Sequence, residues 1–284
     1  YIDGKDIYAW IAEKIYKVPY EECKEVRPDG TKNPEGAKRR SSVKSIILGI
    51  MYGRGAKAIA EQLNCSTKEA QKIVDTFYTE FPKVKKWMND VLAHAREYGY
   101  VETAWGRKRR LPDVQLEPYE FELMAGGPST FDPLSWEEDQ GEAEVDPAVK
   151  KKYIKQLEKT WGGKEKRDII MRAREEGIKI TDNGGKIADA ERQCVNSIIQ
   201  GSSADMTKLA MIAINDNPRL KELDCHLLIQ VHDEVICECP EANAKECAEL
   251  LSSLMVGAAA EKIRVPMKCD AEVTRVWYGE PLEV

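Results

Sequence analysis

The chain has 284 residues, with 43 Lys and Arg against 49 Asp and Glu, and its net charge of -6 argues, taken alone, against a nucleic-acid partner. Charged residues make up 32% and aromatics 7%, which suits a helix-rich protein. No apolar run reaches the ~18 residues of a membrane span, the eight cysteines lack a C-x-x-C pair, and the start at Tyr1 is neither a signal peptide nor a Met. A non-membrane, intracellular piece of a longer polypeptide with reduced thiols is therefore expected.

In chain order, Ile7, Trp10, Ile11 and Ile15 form a helical stripe over Asp6 to Tyr16, ended by Val18-Pro19. Cys23 to Ala37 is expected as loop. From Lys38 a helix is predicted in which Val43, Ile46, Ile47 and Ile50 share an arc of roughly 100° facing a core. Beside that arc Arg40, Lys44, Leu48 and Tyr52 recur every fourth residue. Two cations near a helix N-terminus suit a polyanion such as a triphosphate. Tyr52, about 18 Å further along the axis by the helical rise, offers a flat ring to a nucleotide base. A surface helix with solvated bases explains the same spacing.

Gly53-Arg54-Gly55 closes that helix. A second starts at Ser66, with Glu69 completing a capping box, and a third runs from about Lys83 to Tyr98 and stops at Gly99. Tyr100 to Leu111 is predicted as a hairpin with Trp105-Gly106 at its turn. The bases Arg107 to Arg110 on its return strand suit phosphates or a charged surface equally. Asp113 to about Gly185 has the composition of an insertion: an acidic first half expected as a loop or lid, then helices from Asp146-Pro147 to Trp161 and on to Gly177, a short strand at Ile178, and a tight turn at Asp182-Asn183.

Ile187 to Asn215 is predicted as one long helix. Arg192, Asn196 and Gln200 stand four apart on it, a polar row suited either to the minor groove, where every base pair presents acceptors, or to hydrogen bonds between helices. Leu227 to Cys239 alternates as two strands meeting at Asp233 and Glu234, with Leu227, Ile229 and Val231 on one face and Val235, Cys237 and Cys239 continuing the pattern. Adjacent carboxylates on a rigid support suit a hard divalent cation; a solvated turn over a Cys/Val core is the plainer alternative. Val265 to Val276 alternates as a final strand, with Trp277-Tyr278-Gly279 after it.

Three motifs in this order, Arg40-x3-Lys44-x3-Leu48-x3-Tyr52-Gly53, the Arg192/Asn196/Gln200 helix, and Gln230-Val-His-Asp-Glu234, resemble the family A DNA polymerases of the bacterial DNA polymerase I type. The segments Gly4 to Tyr8 and Trp105 to Arg110 match as well. The resemblance implies an α+β right-hand polymerase fold: helical fingers over residues 1–112, an insertion over 113–185, and the C-terminal part of an antiparallel palm sheet over 186–284, with the thumb and the first palm strand absent. Arg40 and Lys44 would hold the incoming dNTP, Leu48 would pack on its sugar, and Tyr52 would stack near the template. Arg192, Asn196, Gln200, Gln230 and His232 would touch primer-template DNA. Asp233 would bind catalytic Mg2+ with Glu234 in support, and Lys44 and His232 would complete the reacting groups.

Two features depart from the family pattern. Leu48 stands where the family usually has an aromatic ring, and no strand carrying the first catalytic aspartate occurs. Two-metal transfer needs a carboxylate shared by both ions, so a complementary N-terminal segment is expected as a partner and the chain alone is expected to be inactive. A non-catalytic primer-template binding or assembly subunit is the alternative. The resemblance also implies a cytoplasmic setting in a bacterial or phage-infected cell, the long insertion being like those of some bacteriophage members.

Overall fold

A computed structural model describes residues 4–124, 144–160 and 162–282. The chain divides into two compact units, Tyr1–Leu111 with Glu191–Val284, and Pro112–Ala190.

In the first unit α1 (Ile7–Tyr16) begins where the Asp6 carboxylate accepts the N–H groups of Tyr8 at 2.9 Å and Ala9 at 3.1 Å, satisfying donors that a helix start leaves open. α2 (Pro34–Met51) starts four residues before the predicted Lys38, because Asn33 caps it through the Gly36 N–H at 3.1 Å and Pro34 supplies the first-turn φ. The predicted arc does face inward: Val43, Ile46 and Ile50 are all buried. Val43 joins Ala9, Ile11, Ala12 and Cys23 of the α1 side, while Ile46 and Ile50 join Ile59, Ala60, Ala70 and Phe77. Each such isoleucine removed from water contributes about 1.5 to 3 kcal/mol.

The first two partners in that second cluster belong to α3 (Ala56–Leu63), a helix not anticipated from the sequence although Ala56, Ile59, Ala60 and Leu63 repeat at helical spacing. α4 (Thr67–Glu80) carries the predicted capping box: Ser66 Oγ accepts the Glu69 N–H while the Glu69 carboxylate accepts the Ser66 N–H. α5 (Pro82–Tyr98) ends at Gly99, whose φ of 74° takes the left-handed cap.

The strands β1 (Tyr100–Glu102) and β2 (Lys108–Arg110) pair antiparallel as the predicted hairpin. Its turn is fastened to α8 (Gly184–Asp216), a 33-residue helix. Arg107 donates Nε–H to Asp205 at 2.7 Å and Nη2–H to the Gly201 carbonyl at 3.1 Å, and the Ala104 N–H reaches Ser202 Oγ at 2.9 Å. The approach is close enough that a Cβ on Gly201 would lie 2.8 Å from Thr103 Cγ2.

α9 (Pro218–Glu222), β5 (His226–Val231), β6 (Glu234–Glu238) and α10 (Ala244–Gly257) follow, gathered around buried Ile214, Leu220, Leu223 and Cys247. The strand expected over Val265 to Val276 does not form. Ser252 Oγ bonds the Cys269 carbonyl at 2.7 Å and the Leu282 N–H bonds the Val273 carbonyl at 2.8 Å, yet no neighbouring strand offers a ladder among the described residues. Alternation becomes a strand only where a partner backbone pairs with it.

The second unit contains β3 (Tyr119–Leu123), α6 (Pro147–Glu158), α7 (Gly163–Glu175) and β4 (Ile178–Asp182). β3 corrects the expectation of loop at the start of the acidic stretch: it pairs antiparallel with β4, Phe121 opposite Ile180. The rest of that expected loop, 125–143, lies outside the described residues. Tyr153, Leu157, Ile169, Ala173, Ile178 and Ile180 give this unit its own core. Asp146 caps α6 by accepting the Ala148 N–H at 2.7 Å, as the Asp-Pro pair predicts. The expected tight turn at Asp182 instead launches α8, with Asp182 accepting the Gly184 N–H at 3.0 Å.

Burial raises the Asp205 pKa, but the Thr103 hydroxyl and the Arg107 guanidinium outweigh it and hold this carboxyl below its usual range. A depressed folded-state pKa means that its stabilisation is present above the unfolded carboxylate pKa of about 3.9 and lost as pH falls through the folded value. Asp205→Asn is expected to lose about 1 to 2 kcal/mol at pH 7, with the difference from the parent shrinking below about pH 4. Urea unfolding at both pH values checks this; a pH-independent loss would contradict it.

Candidate functional site

The hairpin of β5 and β6 closes through a two-residue loop, His232-Asp233, since Val231 pairs with Glu234. His232 takes a φ of 56°, a left-handed conformation that costs a non-glycine residue roughly 1 to 2 kcal/mol. The Gln230 side-chain amide donates to the His232 carbonyl, which holds the strained residue in place. Asp233 and Glu234 stand exposed at the tip.

The predicted faces of β5 need correction. Leu227 pairs with Cys237 but Ile229 pairs with Ile236, so one residue, Leu228, is extra. A bulge of this kind flips the faces beyond it. Leu227 packs with Val235, Cys237 and Cys239 on the core, whereas Ile229 no longer shares that face and is 40% exposed. Gln230, opposite Val235, takes the place expected for its neighbours.

Beneath the tip the sulfur groups are apolar filling. Burial pushes the Cys225 and Cys239 thiols up to about 11 and raises Cys237 and Cys247 as well, so they stay neutral at pH 7. All eight cysteines are free.

On α2 the four-residue row divides by partner. Arg40 is engaged twice, through Nε with Asp6 and through Nη1 with Glu25 at 2.9 Å, and its guanidinium lies 5.5 Å from the Tyr8 ring centre. Lys44 is exposed and forms no ion pair with a described residue. Leu48 and Tyr52 are half-buried. Because α2 begins at Pro34, Arg40 and Lys44 are its seventh and eleventh residues. The helix dipole acts within the first turn, so it does not add to these cations as the later predicted start implied.

The α8 row meets the end of α2. Gly53 has a φ of 69°, and a Cβ there would lie 2.6 Å from Arg192 Cγ and 3.3 Å from Arg192 Cα. Tyr52-Gly53 and Arg192 are thus brought together, as are Gln200-Gly201 and the Arg107 hairpin. Asn196 lies between, half-buried, with its Oδ1 buried and lacking a hydrogen-bond partner among the described residues. Asp233 and Glu234 belong to the separate cluster around α9 and α10, not to those that carry the Arg40 row. Residues the sequence reading missed are Asp6 and Glu25, which occupy Arg40, and Asp205, which occupies Arg107. Nothing local signals those pairs; they span 34, 15 and 98 positions.

Two adjacent carboxylates at a rigid tip suit one or more hard cations, but among the described residues no group of three or more His, Cys, Asp or Glu is placed to hold a metal ion. Nor is any described helix long and apolar enough to cross a membrane.

Residues 1–125 and 147–279 match the model of DNA polymerase family A. The chain is 28% identical over 240 residues to the thermostable DNA polymerase I of Thermus filiformis, covering 84% of this chain and 20% of that protein. It is 25% identical over 277 residues to the Thermus aquaticus enzyme of the same description, covering 98% and 24%. Among solved structures, the POL domain of Pol1 from M. smegmatis in complex with DNA primer-template and dNTP superposes with a TM-score of 0.57 at 25% identity, covering 90% of this chain and 32% of that one. The chain therefore spans roughly a fifth to a quarter of the length of these curated relatives.

The contact between Gly53 and Arg192 gives a test of the junction. Gly53→Ala is expected to cost about 1 to 3 kcal/mol, since it adds both a left-handed alanine and an overpacked contact. Gly55→Ala, where no heavy atom lies within 4 Å, is expected to change stability by no more than about 0.5 kcal/mol. Thermal melting of the two variants compares them; equal melting temperatures would remove the close approach as a constraint.

Proposed function

The chain belongs to DNA polymerase family A, and we propose that it is the C-terminal, fingers-and-partial-palm portion of a polymerase that adds dNTPs to a primer 3'-hydroxyl under template direction in a bacterial or phage-infected cell. The observation that carries this reading is the hairpin tip: two exposed carboxylates on a strained turn, held by Gln230 and seated on a packed apolar base. Evolution of a left-handed His232 at a surface turn has a cost, and strained residues of this kind cluster where a side chain must be aimed.

The residues of this chain take the following parts in the proposal. Asp233, with Glu234 beside it, holds Mg2+ together with a carboxylate from a segment outside these residues. The chemistry supplied by magnesium held there would be neutralisation of triphosphate charge and easier ionisation of the primer hydroxyl. Lys44, which has no competing carboxylate among the described residues, binds the triphosphate. Arg40 binds it only by releasing Asp6 and Glu25, so it contributes less. Tyr52 supplies a ring beside the templating base, and Leu48 packs against the incoming sugar without offering a hydroxyl. Arg192, Asn196 and Gln200 line the minor groove, donating to the acceptors that every base pair presents there; Gln230 and His232 lie near the primer end. The exposed apolar residues Leu228, Ile229, Val265 and Met267 mark where the complementary segment adds to the palm.

Primer extension with Mg2+, by this polypeptide alone and mixed with a segment carrying an aspartate strand and thumb, tests the proposal. Extension in the mixture only is the expected result. DNA binding with no extension in either would favour a non-catalytic subunit. In the active mixture, Asp233→Ala is expected to abolish extension while leaving duplex affinity within a few-fold; undiminished extension would remove Asp233 as a metal ligand. Lys44→Ala is expected to raise the half-saturating dNTP concentration by about tenfold or more, the loss of a charge-assisted bond, and by more than Arg40→Ala does. The reverse order would contradict the pairing argument.

A further inference from the structure

The acidic total hides a strongly basic surface in the second unit. α6 and α7 together carry nine Lys and Arg against four Asp and Glu. Their arrangement is one-sided. On α6, Lys151 and Lys155, with Lys159 at the cap, stand four residues apart and exposed, while the buried Tyr153 and Leu157 fall about half a turn away. On α7, Lys164, Arg167 and Arg174 are exposed, opposite buried Ile169 and Ala173. Both cationic rows thus lie on the faces turned away from the shared core.

These cations are uncommitted. Lys151, Lys155, Lys159, Lys164 and Arg174 form no ion pair with a described residue, and Arg167 spends only Nε, on the Gly163 carbonyl at 3.1 Å. Acids share both faces, Glu158 on the α6 row and Asp168 and Glu175 on α7, all exposed, but the bases outnumber them. Like charges four apart on a helix cost about 0.2 to 0.5 kcal/mol per pair, a cost that an external polyanion reverses.

We infer that the outer faces of α6 and α7 form a second nucleic-acid contact, binding the sugar–phosphate backbone without reading sequence. A row of three lysines rising about 6 Å per step presents point charges along a line, which matches a repeating chain of phosphates. The α6 row has no aromatic or aliphatic anchor of the kind that dominates protein interfaces; the α7 face carries one exposed apolar side chain, Met171 at 52%, so it is the α6 row that favours nucleic acid over an acidic protein. The choice of nucleic acid as the polyanion rests on the polymerase reading above.

The test is fluorescence anisotropy of the full chain with a labelled primer-template duplex and, separately, a labelled single strand, over a series of salt concentrations. Neutralising Lys151, Lys155 and Lys159 together to Ala is expected to reduce the slope of log K against log salt by about 2 to 3, at ~0.9 per lost duplex phosphate contact or ~0.7 for a single strand. The strand form showing the larger change is the one this face holds. Arg at all three positions is expected to retain the parental slope. A control that neutralises Lys57, Lys68 and Lys72 of α3 and α4 to Ala carries the same charge change and is expected to leave the slope within about 1 of the parent. Circular dichroism confirms that each variant is folded. An unchanged slope in the folded α6 variant, an equal loss in the control, or no binding by the parent would each overturn the inference.

The same measurements separate it from the polymerase reading. If Arg192→Ala and Gln200→Ala weaken duplex binding while the lysine variant does not, the inference fails and the reading stands. If the lysine variant weakens binding but the complemented mixture never extends a primer, the reading fails and the contact stands.

Discussion

The guanidinium of Arg107, shared between Asp205 and the Gly201 carbonyl, joins stretches 98 and 94 positions apart into one unit. Everything proposed for α8 depends on that join. Ion pairs on a surface contribute little because water screens them and both side chains lose freedom, but Asp205 is 9% exposed and its partner forks to a second acceptor. The bond therefore fixes direction as well as proximity, and it does so beside a glycine, since any side chain at Gly201 would meet Thr103. A matching close approach recurs eight to nine residues earlier on α8, where Gly53 admits Arg192. Two glycines and one arginine thus set how the hairpin and the end of α2 lie along the polar row of α8.

The second fixed point is the hairpin of Asp233. Its support has two parts with different physics. Below, Leu227, Val235 and the neutral thiols of Cys237 and Cys239 pack on Leu220, Leu223 and Cys247, a non-directional contact that resists tilting. At the tip, a directional bond from Gln230 holds the carbonyl of a residue whose backbone is strained. The bulge at Leu228 links the two. By adding one residue it lets Leu227 stay in the core while Gln230 is positioned opposite Val235, within reach of the turn. Without it, the same sequence would bury Ile229 and turn Gln230 to the other face.

This is also where the sequence was least legible. Alternation in Leu227 to Cys239 identifies a hairpin and its two-residue turn, because period and turn length are local properties. A bulge is not local: strict alternation assigns Leu227, Ile229 and Val231 to one face, and only the pairing partner shows otherwise. The same distinction applies elsewhere. Caps at Ser66, Asp146 and Gly99 are readable since each depends on residues within one turn, whereas the cap at Asp6 shows only in the structure. α2 starts at Asn33-Pro34, inside the stretch expected as loop, and that shift carries Arg40 and Lys44 beyond the reach of the helix dipole. The ion pairs of Arg40 were invisible, since a carboxylate 34 positions away leaves no trace in spacing.

The segment from Val265 to Val276 shows what kind of information a strand requires. Its apolar residues alternate from Val265 to Val273, but Pro266, Lys268, Asp270 and Glu272 between them are poor strand formers, and it lies outside any ladder, with Val265 54% and Val276 68% exposed. Propensity measures how well side chains suit a pleated surface, and the hydrogen bonds of a ladder come from somewhere else. Leu228 and Ile229 on β5 are exposed in the same manner. Apolar side chains left open on these two stretches of one unit are the ones that the proposed complementary segment would cover.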